Sequence, residues 1–390
     1  MRILMVVSDN TYPPDIRVEK EIKALMPDGH VIGVVCLRLG KEPLYEVING
    51  TQVWRLKVPL RHVRLIGRAL ELTVFRHMLY RKIGAIARDF RPDVIHVHDL
   101  PLAMAAIKVA TRVNARFVVD LHEHYIGLLE DRGLKGLLGW LMATILTKEE
   151  RRVYPSADAI ITVVEEHKHR IEQEFRVKDR VHAVSNTADI HALRRVKGHS
   201  KAKMRWDMCY VGAISPERGL DTFLDALSKV KQRIRVAIVG TGSGIDKLRA
   251  KAQNQRHDIM FTGHLPFSKA MECVASSPYG IIPYRRTRLT EHTVPHKLFQ
   301  YMYLGAVPIV SDVPPLKRIV STGRCGLVFR AGDADDLAHT IEKAMDIYRN
   351  HTDEWRDMAM HGTKAVEERY NWSADAEKLR IVYRNLEVDK

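Results

Sequence analysis

The chain has little cysteine and few aromatic residues: 4 Cys, 5 Trp, 9 Phe and 13 Tyr among 390 residues. Cys36, Cys209, Cys273 and Cys325 are scattered, with no CxxC pair and no spacing that suits a metal. Such usage excludes a disulfide framework and a zinc ribbon, and it fits free thiols in a reducing compartment. No apolar run approaches the ~18 residues that a membrane span requires. The longest, from Gly136 to Thr147, stops short. The opening Met1-Arg2-Ile3-Leu4-Met5-Val6-Val7-Ser8 lacks the long apolar core of a secretory signal, and acidic residues and prolines follow at once. Low-complexity tracts and short-period repeats are missing as well. A cytoplasmic chain is the expectation.

What is present is an ordinary globular balance, 46% apolar and 28% charged, which excludes disorder. The length suits two domains, at roughly 100–200 residues each. The net charge, 62 − 47 = +15, is uneven. Between Arg55 and Arg91 ten bases face only Glu71 and Asp89, a local excess of 10 − 2 = +8 that asks for an anionic partner.

Short β-branched apolar runs alternate with amphipathic segments of helical length. In the first half the strands are expected at Ile3–Val7, Val31–Leu37, Gln52–Val58, Asp93–Val97, Arg116–Leu121 and Ala159–Val164, with a short one at Val181–Val184. Helices are expected at Ile16–Leu25, Leu65–Asp89 and Leu102–Val113. The strands are nearly continuous apolar runs, as strands covered on both faces are, and the alternation predicts a parallel, doubly wound α/β sheet. The basic, polar segment Leu193–Lys203 reads as a connector. Beyond it the pattern repeats, with strands at Met208–Val211, Arg235–Val239, Ile259–Phe261, Tyr279–Ile282, Val307–Val310 and Gly326–Phe329. Helices are expected there at Leu220–Val230, Lys297–Tyr303 and Leu337–Tyr348, and the chain after Asp353 reads as helical. Two similar α/β domains facing each other across a cleft are expected.

In open parallel sheets ligands bind beyond the carboxyl ends of the strands. Five places there are polar or glycine-rich. Ser8 to Arg17 contains Tyr12-Pro13-Pro14-Asp15 but no G-x-G-x-x-G, so a nicotinamide-type cofactor loses its main support. Asp15 serves either the site or the start of a helix. In His96-Val97-His98-Asp99 the two histidines point the same way, but no third metal ligand with suitable spacing presents itself. Asp120-Leu121-His122-Glu123-His124 could bind sugar hydroxyls, handle a proton or form a buried polar network.

Opening the second half, Val211-Gly212-Ala213 leads to Arg218-Gly219-Leu220, and Val239-Gly240-Thr241-Gly242-Ser243-Gly244 follows. Glycines admit a ligand to the backbone, although tight packing also selects them. Helix amides and a guanidinium suit phosphate oxygens. Lastly, Pro295 introduces a helix whose first turn holds Lys297, with Gln300 one turn on and Gly305 at its end. A lysine at that helix end opposes the dipole, which is better explained if it meets an anion.

Together these segments resemble glycosyltransferase family 4, retaining nucleotide-sugar transferases of GT-B fold. The resemblance spans essentially the whole chain. It rests on Tyr12-Pro13-Pro14-Asp15-Ile16-Arg17-Val18, His96-Val97-His98-Asp99-Leu100-Pro101 and Asp120-Leu121-His122-Glu123 in the first half. Tyr210-Val211-Gly212 with Arg218-Gly219-Leu220, Pro295 to Met302 with Gly305, and Tyr370-Asn371-Trp372-Ser373 carry it in the second. It implies two Rossmann-like domains, an acceptor-side domain over residues 1–195 and a nucleotide-sugar domain over 204–370, with a terminal helix, 371–390, returning to the first domain.

By the same resemblance, Gly212, Arg218, Gly219, Gly240, Gly242, Pro295, Lys297 and Gln300 would hold the donor, with Arg218 on its pyrophosphate. His122 would contact the transferred sugar, and Asp15 would lie across from the donor phosphates. No metal and no cofactor are implied beyond the nucleotide sugar itself, with a UDP-sugar favoured over a GDP-sugar. The family pattern has two glutamates eight residues apart. Here Gln300 holds the second position and His292 the first, with Glu291 beside it as the substitute. Ala213 stands where many members carry a base.

The basic block from Arg61 to Arg88 is interleaved with Leu65, Ile66, Leu70, Val74, Phe75, Met78 and Leu79, which suits an anionic membrane surface and a lipid-linked or glycan acceptor. The segment Leu134–Leu146, with Trp140, could add an interfacial contact. Nucleic acid is not expected, because aromatics for base stacking are not interleaved with the bases. Two alternatives remain open, a non-catalytic GT-B protein that binds a nucleotide sugar or a partner transferase, and a nucleotide-sugar epimerase.

Overall fold

The computed structural model describes residues 1–8, 10–58, 75–134, 136–199 and 204–388. The chain divides into two compact units, Met1–Ser185 with Asp375–Lys390, and Asn186–Ala374.

The first unit is built on an eight-stranded sheet: β1 (Arg2–Val7), β2 (Val31–Leu37), β3 (Tyr45–Ile48), β4 (Thr51–Leu56), β5 (Val94–His98), β6 (Arg116–Leu121), β7 (Ala159–Thr162) and β8 (Val181–Ala183), in the order β3-β4-β2-β1-β5-β6-β7-β8. Its helices are α1 (Ile16–Leu25), α2 (Arg76–Phe90), α3 (Ala103–Val113), α4 (Tyr125–Asp131), α5 (Gly136–Ser156) and α6 (Glu165–Phe175). All pairings are parallel except β3 with β4. Ile3, Leu4, Met5 and Val6 of β1 are wholly buried, as a central strand covered on both faces requires.

In the second unit follow α7 (Ile190–His199), β9 (Met208–Val211), α8 (Leu220–Lys229), β10 (Arg235–Val239), α9 (Ile245–Gln253), β11 (Asp258–Gly263), α10 (Phe267–Ala275), β12 (Tyr279–Ile282), α11 (His296–Leu304), β13 (Val307–Ser311), α12 (Pro314–Gly323), β14 (Leu327–Phe329), α13 (Ala334–Asn350) and α14 (Thr352–Glu368). The six strands are all parallel, in the order β11-β10-β9-β12-β13-β14. Met208, Tyr210, Phe223, Ile238, Tyr279 and Ile309 pack in its core. Helix α15 (Trp372–Val388) carries the chain back, its residues from Asp375 onward belonging to the first unit. There the Tyr383 hydroxyl meets His96 Nδ1 at 2.7 Å.

The doubly wound α/β expectation stands. Strand β3 was not foreseen. It forms an antiparallel hairpin with β4 around Asn49-Gly50, whose φ of 49° and 82° are those of a two-residue turn. Most of the expected connector at 193–203 is different in kind: its described part belongs to α7, where Leu193 is buried. Of the helix expected at 65–89, the part from Arg76 is helical, and residues 59–74, with Arg61, Arg64 and Arg68, lie outside the described residues. Among the described residues no helix is long and apolar enough to cross a membrane.

Candidate active site

Both sheets have a point where the winding reverses, between β1 and β5 in the first and between β9 and β12 in the second. Loops diverge there and leave room for a ligand. Asp15 and His122 lie at strand ends of the first unit, and Gly212, Arg218 and Lys297 at strand ends of the second.

In the first unit, Arg17 projects from the first turn of α1, fixed there by Asp15. The Asp15 Oδ1 accepts from Arg17 N and Val18 N, both at 3.1 Å, and so caps the helix. The buried guanidinium of Arg17 forks onto Asp120, with Nε 3.2 Å from Oδ2 and Nη2 3.3 Å from Oδ1. Its Nη1 donates to the Val184 carbonyl at 3.0 Å. Arg17 Nε is also in ionic contact with Glu21 at 2.5 Å, out of line for a hydrogen bond.

Asp120 is the penultimate residue of β6, and its Oδ2 also meets His122 Nε2 at 2.9 Å. The other nitrogen of that ring, Nδ1, faces Asp99 Oδ2 at 3.5 Å. Burial works against a charged His122, but Asp99 and then Asp120 outweigh it and hold its pKa up at about 10. His122 is therefore an imidazolium that donates from Nε2 to Asp120 and faces Asp99 with Nδ1 in ionic contact. Asp120 stays ionised despite burial, because Arg17 and His122 pull its pKa well below the carboxylate range. Burial pushes Glu21 well up against the pull of Arg17, so it is the neutral carboxyl of the pair. Burial likewise lowers the pKa of His96 and of His98.

At neutral pH the cluster thus sets Arg17 and His122 against Asp120 and Asp99. His96 and His98 stack beside it with centroids 4.4 Å apart.

The two histidines do have further potential ligands, contrary to the sequence expectation. Glu21, His96, His98 and Asp120 offer ligand atoms all within 4.8 Å of one another. Glu21 comes from α1 and Asp120 from β6, so no sequence spacing announces them. Arg17 lies against both carboxylates, however, and already supplies the positive charge that a cation would bring.

In the second unit, Pro295 precedes α11 and Lys297 stands in its first turn. The lysine is buried, 8% exposed, and reaches the end of β9. Its Nζ lies 3.8 Å from the centroid of the Tyr210 ring and 5.6 Å from that of Tyr284. A Cβ at Gly212 would stand 2.6 Å from this ammonium. Arg218 covers the Tyr284 ring at 4.5 Å, so one aromatic ring is shared by two cations. Burial, and then the neighbouring Arg218 charge, push Lys297 well below the usual lysine range. Among the described residues no ion pair joins a carboxylate to Lys297, while Arg218 Nε has Glu217 at 3.7 Å.

Gly240 and Gly242 have a packing reason. A Cβ on either would come 1.9 Å from a carbonyl oxygen, of Gly212 and of Ile214 respectively. Gly219, at φ 65°, leads into α8 and passes the Pro283 carbonyl equally closely. Glu291 lies on a single turn, Thr290–His292, 3.5 Å from Arg286, and Gln300 is half-buried on α11. The aromatic walls Tyr210 and Tyr284 were not foreseen. Tyr284 stands two residues beyond β12, at a carboxyl strand end, which was the available signal.

Residues 15–187 match the family described as glycosyl transferase 4-like domain, and residues 205–346 match glycosyl transferases group 1. The chain belongs to glycosyltransferase family 4, of GT-B fold. An uncharacterized glycosyltransferase of Methanocaldococcus jannaschii is 22% identical over 411 aligned positions, covering 98% of each chain. Among solved structures, the sucrose-phosphate synthase of Thermosynechococcus elongatus matches over 100% of both chains with a TM-score of 0.80 and 16% identity. HepE of Anabaena, solved with UDP-glucose, matches over 98% of this chain and 99% of its own, with a TM-score of 0.69 and 12% identity. At such identities the likeness is one of fold. For this glycosyltransferase, the second-unit match contains Lys297 and Arg218, and the first-unit match contains Arg17, Asp120 and His122.

Proposed function

We propose that this glycosyltransferase moves a hexosyl or N-acetylhexosaminyl group, with retention, from a nucleoside-diphosphate sugar to a lipid-linked or glycan acceptor. The observation that carries the reading is the pair of cations, Lys297 and Arg218, on the Tyr284 ring at the reversal point of the second sheet. Burial and Arg218 disfavour the charged form of Lys297 in the free protein, and a bound diphosphate favours it.

In this reading the bond between the anomeric carbon and the diphosphate oxygen breaks as the acceptor hydroxyl oxygen bonds that carbon on the same face, and the hydroxyl proton passes to the leaving diphosphate oxygen. The electron pair of the broken bond leaves on the diphosphate, where Lys297 and Arg218 take up the charge, so no metal ion is asked for. Helix amides after Gly219 add to that field. His122, already an imidazolium, acts as a fixed positive charge and hydrogen-bond donor, not as a base. Gln300 and Glu291 are assigned to the nucleotide and sugar hydroxyls. A UDP-sugar is favoured, since a structural neighbour was solved with UDP-glucose.

A second reading, nucleotide-sugar binding without transfer, draws on Gln300 and on the contact between Glu291 and Arg286, which occupies the substitute carboxylate. Calorimetric titration with UDP, GDP, ADP, UDP-glucose and GDP-mannose, on the wild type and on Arg218→Ala, tests the site. Selective binding of one diphosphate, lost in the variant, is expected. Absence of binding to all of them would sink the transferase reading. Slow donor hydrolysis by the wild type separates transfer from mere binding.

A further inference from the structure

Helix α5 (Gly136–Ser156) buries one face and leaves the other uncovered. The buried face is Met142, Leu146, Glu149, Glu150, Val153 and Tyr154. At 100° per residue, Leu137, Trp140, Leu141, Thr144, Lys148, Arg151 and Arg152 fall on the opposite face. Its first two turns are apolar and exposed: Leu137 is 81% exposed, Trp140 65% and Leu141 47%. Its later turns carry Lys148, Arg151 and Arg152, all exposed.

The charge arrangement is one-sided. The only acids of this helix, Glu149 and Glu150, point inward and are consumed by cations, Glu149 by Arg76 of α2 at 2.6 Å and Glu150 by Arg170 at 2.8 Å. Among the described residues of the helix, the outward face carries bases and large apolar side chains with Thr144 between them, and no acid. Arg76 also ties α5 to the basic helix α2, which exposes Arg81 and Arg88. A protein core would bury Leu137 and Trp140, and a solvated helix would not carry them. A tryptophan and leucines flanked by cations, with no outward acid, is the composition of a helix lying in a lipid headgroup layer.

We infer that α5 is the docking face of the chain on an anionic bilayer, with Leu137, Trp140 and Leu141 entering the headgroup region and Lys148, Arg151 and Arg152 meeting the lipid phosphates. The inference rests on the proposed function only in making a lipid-linked acceptor accessible. Its test does not involve the donor site.

The full chain is sedimented with vesicles of pure phosphatidylcholine and of phosphatidylcholine containing about a third phosphatidylglycerol, at low and at near-molar salt. Binding to the anionic vesicles alone, released by salt, is expected. The double variant Leu137→Glu/Trp140→Glu should lose at least ~10-fold in partitioning, and Lys148→Ala and Arg151→Ala about fivefold each. These positions are exposed, so unchanged thermal melting is expected. Should the double variant fail to fold, the two alanine variants and the salt dependence still decide.

Equal partitioning of wild type and variants, or no preference for anionic vesicles, overturns the inference. So does a wild-type dimer in light scattering that these variants dissociate, since a second copy would then be the occupant. Diphosphate titration of the same variants stays at wild-type affinity, so a failure here and a failure of the donor reading are told apart.

Discussion

The Nζ of Lys297 sits 3.8 Å from the centroid of the Tyr210 ring, against Gly212, the residue that follows β9. Burial and Arg218 depress its pKa in the free protein. A bound diphosphate reverses that, because two negative phosphates favour the charged lysine. Binding should therefore draw a proton onto the protein wherever the free lysine is partly neutral, and affinity should fall as pH rises further. Calorimetry in two buffers of different ionisation enthalpy measures the uptake. Lys297→Met should abolish it and weaken binding roughly ten- to a hundredfold, about 1.5–3 kcal/mol for a charged contact. Unchanged proton uptake in that variant would remove Lys297 from the site.

His122 provides a stability signature. Its folded pKa, about 10, lies above the ordinary histidine value of 6.5. The stabilisation from its contacts with Asp99 and Asp120 is fully present below pH ~6.5 and is lost as pH rises through about 10. The shift corresponds to an upper figure on the order of 5 kcal/mol. Urea unfolding of wild type and His122→Gln from pH 6 to 10 should show the gap between them narrowing as pH rises. A widening gap would mean that the ring is neutral in the folded protein. Histidine side-chain nuclear magnetic resonance should find His122 doubly protonated at pH 8.

Arg17 supplies the cation that compensates Asp120. Arg17→Met leaves that ionised, fully buried carboxylate with His122 as its charged partner beside His98 at 3.4 Å, and a loss of about 3–5 kcal/mol is expected. Arg17→Lys should recover little, because an ammonium cannot reproduce the two-pronged contact and also reach the Val184 carbonyl. Equilibrium urea unfolding decides it. Full recovery by lysine would show that point charge, not the fork, is what matters.

The alternation of strands and helices was legible because strands covered on both faces are nearly continuous apolar runs, as Ile3 to Val7 and Val236 to Val239 are. Lys297 was legible too, since a cation in a first helical turn contradicts the dipole. The hairpin at Tyr45–Ile48 was missed although Asn49-Gly50 announces it: its residues are exposed or half-buried and form no apolar run. The Arg17–Asp120 pair joins residues 103 positions apart, and only the parallel stacking of β1, β5 and β6 brings α1 to the end of β6. The partners of His96 and His98 escaped for the same reason. Glu21 reads in sequence as an ordinary helical acid, and only the fold buries it.

Two glycines separate backbone strain from close packing. Gly240 has φ 142°, and a Cβ there would come 1.9 Å from the Gly212 carbonyl oxygen, a backbone atom held by β9. Gly244 has a φ of 97°, yet nothing lies within 4 Å of its would-be Cβ. Gly244→Ala should therefore cost only the conformational penalty, about 1 kcal/mol. Gly240→Ala must also push two strand-end loops apart, and should cost more than ~2 kcal/mol. Because the displaced loop holds Gly212 against Lys297, diphosphate binding should weaken in Gly240→Ala and not in Gly244→Ala. Thermal melting and calorimetric titration of the two variants read both effects. Equal destabilisation by the two would show that positive φ alone explains the glycines, and that the loops after β9 and β10 are not packed to contact.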